Sequence, residues 1–242
     1  HTTHEMELFF VYLSFNFYIT TNLIFILIYL SILAMLKYVM KPIGHQIIHL
    51  PTIDSTNNYT ANLIRSGEIS HGSVIMADEQ TNGRGQRGTS WQSTTGENLT
   101  ASIFLEFNDF SVLDQVSINH WVTFALKQTF TRFELNAKIK WPNDIYIGDR
   151  KICGILIENT VGSSGIKNSI IGIGVNVNQL NFDAPNATSV AIESGDVVDV
   201  RFLLKELLNN LNHLYPYLLN DRAYLLAEFH AKTDIWFIVT IC

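Results

Sequence analysis

The chain is poor in cysteine. Of its 242 residues only Cys153 and Cys242 are cysteines, too few for a disulfide framework, and no Cys-x-x-Cys or Cys/His cluster suggests a zinc site. A reducing cytosol is the default expectation. Positive charge is also scarce: 16 Lys and Arg stand against 22 Asp and Glu, a formal net charge of -6. That balance leaves no basic stripe of the kind that grips a nucleic acid. Two nucleotide signatures are missing, because no Gly-Lys-Ser/Thr follows the glycine-rich stretch and no Gly-x-Gly-x-x-Gly opens a helix. Nor is there a convincing Ser/His/Asp or Cys/His set, which argues against a covalent enzyme intermediate.

What the chain does have is apolar mass, 47% of it hydrophobic, enough for a sizeable core. Residues 8–36 carry no charged side chain, a run long enough to cross a bilayer with some tilt. Lys37 and Lys41 follow it, so if it spans, the rest of the chain faces the cytoplasm. The alternative, which we favour, is an artefact: Phe, Ile, Leu, Tyr and Asn dominate the run, as in translated AT-rich upstream sequence, and the chain opens on His1 rather than Met. It does not read as a signal peptide, since no basic region precedes it and no cleavage site is evident. Three segments follow: an apolar extension over 1–40, a globular domain over 41–232, and the truncated start of a further region over 233–242.

From Pro42 the pattern is that of a globular domain. Residues 43–50 read as a strand, and Asp54 or Ser55 caps a helix to about Arg65 that Gly67 ends. Strands are expected over 73–77 and 99–106, separated by a loop over 78–97 long enough to be functional. Ser111 opens a helix, four short strands cover 138–141, 145–147, 151–158 and 169–177, and Asp199 starts a last helix. There Leu203, Leu207, Leu211, Leu214 and Leu218 form one apolar stripe. The order predicts an α+β fold with a mainly antiparallel sheet and helices packed on it.

Three stretches carry chemistry. The run Gln80-Thr81-Asn82-Gly83-Arg84-Gly85-Gln86-Arg87-Gly88-Thr89-Ser90-Trp91 alternates glycines, which let backbone approach a ligand, with arginines whose forked donors match phosphate oxygens. A flexible solvated loop with incidental arginines is the bland alternative. In Lys140-Trp141-Pro142-Asn143-Asp144, followed by Asp149-Arg150-Lys151-Ile152-Cys153-Gly154-Ile155-Leu156-Ile157-Glu158, two lysines flank a turn and Asp144 could serve magnesium, which prefers hard oxygen ligands beside phosphates. An ordinary hairpin with surface lysines explains it equally. Gly172-Ile173-Gly174-Val175-Asn176 permits close approach to a strand, or marks a bulge or tight packing.

Taken together, these stretches and Asp54 to Asn57 stand in the order and approximate spacing of the biotin–protein ligases, a family that the chain resembles over roughly residues 43–230. The resemblance implies a fold like that of class II aminoacyl-tRNA synthetases, a mixed sheet with helices on it. It implies that biotin and ATP form biotinyl-5′-AMP, and that biotin then passes to a lysine of the biotin-carboxyl-carrier domain of acetyl-CoA carboxylase or a related carboxylase. By the same resemblance Ser55, Thr56, Asn57, Gln80, Arg84, Gly85, Gln86, Trp91, Lys151 and Gly154 hold biotin. Gly83, Arg87, Lys140, Asn143 and Asn176 face the nucleotide, Asp144 serves Mg2+, and Lys151, Arg84 and Arg87 are catalytic.

The chain departs from the family at Gln86 and Thr89, where arginine is common, which puts tight retention of the adenylate in doubt. Nothing like the repressor members' DNA-binding domain precedes Pro42, so no nucleic-acid partner is expected. The usual C-terminal β-barrel has no room before Cys242, which makes full activity uncertain. Membrane association depends on residues 8–36 being native, the resemblance leaves room for a homodimer, and the cytoplasm is the expected location. A lipoate-ligase-like adenylation and an inactive ligand-binding remnant remain as alternatives.

Overall fold

The computed structural model describes residues 41–232 and 235–236. The chain divides into two units, His1–Lys41 and Pro42–Cys242. The apolar run over 8–36 lies outside the described residues. Among the described residues no helix is long and apolar enough to cross a membrane.

Strand β1 (Ile47–Ile53) leads into helix α1 (Thr56–Ser66), then β2 (Val74–Gln80) and β3 (Asn98–Phe110). After α2 (Gln115–Thr131) come β4 (Ala137–Lys140), β5 (Asp144–Ile147), β6 (Arg150–Gly162) and β7 (Gly165–Asn176). The rest is helical, α3 (Val190–Ser194), α4 (Val200–Asn220) and α5 (Arg222–Lys232), before the two-residue β8 (Ile235–Trp236). The strands form one sheet in the order β1-β2-β3-β7-β6-β5-β4-β8. The β1–β2 and β4–β8 pairs are parallel and the rest antiparallel. The expected mixed, mainly antiparallel α+β fold is what forms.

Several elements differ from expectation in extent. The last two of the four strands expected to be short, β6 and β7, run for 13 and 12 residues, and α4 is followed by a further helix. The start of α2 is stepped: Ser111 Oγ accepts from Leu113 N–H to cap one 3-10 turn, and the α-helix begins only at Gln115. Helix α4 begins where Asp199 accepts a hydrogen bond from Arg201 N–H, and its five stripe leucines are all buried. They pack toward α2, whose buried Trp121 donates its indole N–H to Leu211 O at 3.1 Å.

Strand β3 shows how the sheet serves two masters. Leu99, Ala101, Ile103 and Leu105 alternate with Asn98, Thr100 and Ser102, yet both sets are buried. Successive side chains point to opposite faces, so one face joins the helical core and the other is a buried polar surface. Ladder partners share a face: Thr100 pairs Gly174, which pairs Gly154, and Ser102 pairs Gly172, which pairs Leu156. The polar face is therefore nearly bare of side chains in its middle. That hollow is where a ligand can lie.

Candidate active site

Helix α1 presents its N-terminus at one side of the hollow. Ser55 occupies the N-cap position but makes no side-chain cap. A residue from the sheet does the work instead: Gln80 Oε1 accepts from Thr56 N–H at 2.8 Å and from the Thr56 hydroxyl at 3.1 Å. An orphan helix-terminal amide is thereby satisfied in trans. Next to it the Ser102 hydroxyl donates to Asn57 Oδ1 at 2.6 Å and lies 2.7 Å from Thr56 Oγ1. Asp54, at the rim, has its carboxyl pushed below the usual range, chiefly by the hydrogen bond from Asn58.

The glycine–arginine stretch forms a strap closed on itself. Trp91 N–H reaches Gly83 O at 2.9 Å, Gly85 N–H reaches Thr89 O at 2.7 Å, and a single 3-10 turn spans Gln86–Gly88. That turn needs left-handed backbone at Arg87 (φ 53) and Gly88 (φ 82). At one end of the strap Arg84 reaches across the hollow to Glu158 on β6, with its Nη2 2.5 Å from Oε1. At the other, Trp91 lies against the bare strip, where a Cβ on Gly154 or Gly174 would run into its indole. The indole N–H is buried without a partner.

A register shift between β5 and β6 places the lysine. Asp144 pairs with Gly154 but Tyr146 pairs with Lys151, so one extra residue of β6 is absorbed between them. An inserted residue reverses the alternation of faces, and so Lys151 and Gly154, three apart, share a side. Lys151 Nζ stands 2.7 Å from Asp144 Oδ1 and 5.8 Å from the Trp91 ring centroid. Its backbone is stitched to the segment after β7 through Lys151 N–H to Asn186 O (2.7 Å) and Thr188 N–H to Lys151 O (2.9 Å).

These groups surround a cavity of about 760 Å3. Of the residues singled out in the sequence, Ser55, Thr56, Asn57, Gln80, Arg84, Gly85, Gln86, Arg87, Trp91, Lys140, Asn143, Asp144, Lys151 and Gly154 all line it. Among the described residues, four cations, Arg84, Arg87, Lys140 and Lys151, and one carboxylate, Asp144, line the cavity, which suits an anionic ligand. A second cavity of about 490 Å3 shares Ser90, Trp91 and Lys151 with the first. Asn176 lies there, buried and donating to Thr188 O at 2.9 Å. Gly83 lines neither; its role is to let Trp91 O pass where a Cβ would stand.

Ser102 was not foreseen, and Leu156 and Glu158, which close the second lysine stretch, carried no assigned role; the part each plays depends on which strands are neighbours. Gly172 and Gly174 were noted only as small, and their purpose is now plain: a Cβ at Gly172 would strike the Asn57 amide, and one at Gly174 the Trp91 ring. Burial raises the Cys153 thiol far above its ordinary value, so it offers no nucleophile. Among the described residues no group of three or more His, Cys, Asp or Glu is placed to hold a metal.

Comparison with known proteins agrees with this geometry. The biotin/lipoate A/B protein ligase family matches residues 49–176, more than half of the chain. The bifunctional ligase/repressor BirA of Bacillus spizizenii is 32% identical over 171 residues, 68% of this chain and 52% of that protein. BirA of Escherichia coli is 34% identical over 135 residues, 55% and 41%. The chain thus spans about half the length of these curated relatives. A solved biotin protein ligase from Aquifex aeolicus, in complex with biotin and ATP, superposes with a TM-score of 0.67 at 25% identity, covering 78% of each chain. Motif order, sheet topology and cavity lining converge, and the chain belongs to the biotin/lipoate A/B protein ligase family.

Proposed function

We propose that residues 41–232 form the catalytic unit of a biotin–protein ligase. The observation that carries this reading is the position of Lys151 and Trp91 on the wall between two adjoining cavities. The first cavity, with the Ser55–Asn57 turn, Gln80 and the Gly85–Gln86 strap, suits a ureido ring in a part-apolar pocket. The second, with Asn176, suits the nucleoside. Lys151 then stands at the junction, where the acid's carboxylate meets the α-phosphorus.

In the first step a carboxylate oxygen of biotin attacks that phosphorus, the bond to the bridging oxygen of pyrophosphate breaks, and biotinyl-5′-AMP forms. Lys151, with Arg84 and Arg87 of the strap, disperses the negative charge that grows on the phosphoryl oxygens. Lys140 and Asn143 extend the cationic, polar side toward the nucleotide. In the second step a lysine amine of an acceptor attacks the acyl carbon, AMP leaves, and an amide remains. The strap keeps water from the mixed anhydride between the two steps. The acceptor is the biotin-carboxyl-carrier domain of acetyl-CoA carboxylase or a related carboxylase, and the cytoplasm is the compartment where it is met.

The donors present fit a magnesium ion that arrives on ATP, not a resident one, since among the described residues Asp144 is the one carboxylate lining the cavity and already faces Lys151. Magnesium usually relies on one or two carboxylates plus substrate phosphates, and there it would offset phosphate charge.

Biotin-dependent exchange of pyrophosphate into ATP tests the reading on the full chain, with lipoate as the competing acid. Exchange with biotin is expected. Exchange with lipoate alone, or none, overturns the reading. In Lys151→Ala the exchange rate should fall about 100-fold or more, in line with the loss of one charge-stabilising group, and near-wild-type exchange would remove Lys151 from its role.

A further inference from the structure

Glu158 closes the second lysine stretch and bonds to both helix α1 and the glycine-rich strap, although the chemistry proposed above gives it no role. It sits on β6 opposite Ile170, four residues beyond Gly154, the last β6 residue that β5 pairs. Its Oε2 accepts from Asn57 Nδ2 at 2.7 Å and from Arg84 Nη1 at 3.3 Å, and its Oε1 from Arg84 Nη2 at 2.5 Å. Arg84 Nη1 also donates to Asn58 Oδ1 at 2.7 Å. One carboxylate thus ties helix α1, strand β6 and the strap together across 74 and 101 positions of sequence.

The chemistry of a carboxylate makes this tie directional. It has only acceptors, so the Asn57 amide must turn its NH2 toward Glu158, which leaves Oδ1 for the Ser102 hydroxyl. The reverse orientation would set Asn57 Oδ1 against a negative charge. Asn57 is almost wholly buried, so a wrongly turned amide could not be repaired by water. The same charge holds the Arg84 fork bidentately, and Arg84 is the strap residue that reaches the opposite wall of the cavity.

We propose that Glu158 is a positioning residue for the acid-binding half of this site, fixing the orientation of the Asn57 amide and, through Arg84, the seat of the strap. This rests on the biotin-ligase reading for its kinetic consequence but not for its mechanical one. A glutamine at 158 keeps the shape but loses the charge and one acceptor: its oxygen can stand in for Oε2 toward Asn57 and Arg84 Nη1, while its NH2 would face the Arg84 Nη2 donor, so the bidentate ion pair that seats the strap is lost.

The test compares wild-type chain with Glu158→Gln. In the exchange assay the KM for biotin should rise about tenfold, the scale of one lost charge-assisted hydrogen bond, while kcat falls by less than the KM rises, because Lys151 and Arg87 still face the phosphoryl group. Brief trypsin treatment should nick the variant after Arg84 or Arg87 about tenfold faster, since a freed strap opens more often, with the thermal midpoint within a few degrees of wild type. An unchanged KM, a fall in kcat alone, or equal nicking would each overturn the proposal. Should Glu158→Gln not fold, Glu158→Asp keeps the charge but shortens its reach toward Asn57 and Arg84. It should then raise the biotin KM and speed nicking after Arg84 or Arg87, and the absence of either is equally decisive. A wild-type chain without biotin-dependent exchange would overturn the proposed activity alone; the nicking comparison would still decide whether Glu158 holds the strap.

Discussion

Gly174 shows how much a missing side chain can hold in place. Its ladder partners are Thr100 and Gly154, and Trp91 fills the space that a Cβ would need. Its φ is ordinary, so alanine strains the site only through the indole. Gly174→Ala should therefore leave a folded chain, destabilised by about 1–3 kcal/mol as overpacked sites are. Trp91 would be driven off the strip, and biotin-dependent exchange should fall at least tenfold. Retained activity in that variant would mean that the indole does not divide the two cavities. At this scale the sequence was informative wherever a residue's chemistry is intrinsic. Lys151, the arginines and the paired glycines announce themselves by type and spacing. Glu158 and Ser102 do not, because a glutamate in a strand and a serine between apolar residues acquire meaning only from partners 101 and 45 positions away. The cap of α1 taught the same lesson in reverse: Ser55 stands where a cap belongs, yet Gln80 takes the hydrogen bond.

Elements were legible in kind and less so in extent. Helix α4 follows its leucine stripe, opens at Asp199 as expected and buries that stripe completely. Leu211 sits at the centre of the contact, fully buried, with its carbonyl accepting from Trp121. Leu211→Ala should cost about 2–5 kcal/mol, the range for a large-to-small change in a packed interior, read by chemical denaturation. A loss below about 1 kcal/mol would mean that α4 carries little of the core. Strands β6 and β7 ran longer than expected because their distal halves pair with each other through polar stretches that lack an apolar signature. The register shift that turns Lys151 to the cavity side could not be read from periodicity, since a single absorbed residue leaves no compositional trace.

For the molecule as a whole, sheet and helices meet at a point sensitive to acid. His71 packs its ring 5.6 Å from Tyr215 of α4, and its Nδ1 accepts from Glu106 N–H at 3.1 Å, near the edge of β3. Burial lowers the His71 pKa below its ordinary 6.5, against the weaker pull of the Glu106 backbone and carboxylate, with His45 nearby adding to the decrease. The folded chain thus keeps His71 neutral where the unfolded chain takes up a proton. The unfolded state binds more protons below about pH 6.5, so stability is present above that pH and drains away as pH falls through the lowered folded value. Thermal midpoints should decline between pH 7 and pH 5, and His71→Gln should flatten that decline. An identical slope in the variant would place the acid sensitivity elsewhere.

The partition built by Trp91 and Lys151 has a consequence for selectivity that no single contact expresses. If the proposed function holds, an acid whose head fills the first cavity delivers its carboxylate to Lys151 only when its tail has one particular reach. A shorter tail leaves the head group docked and the phosphorus unmet, and a longer one must buckle. Under the proposed function the shared wall would act as a gauge, sorting acids by length before chemistry begins.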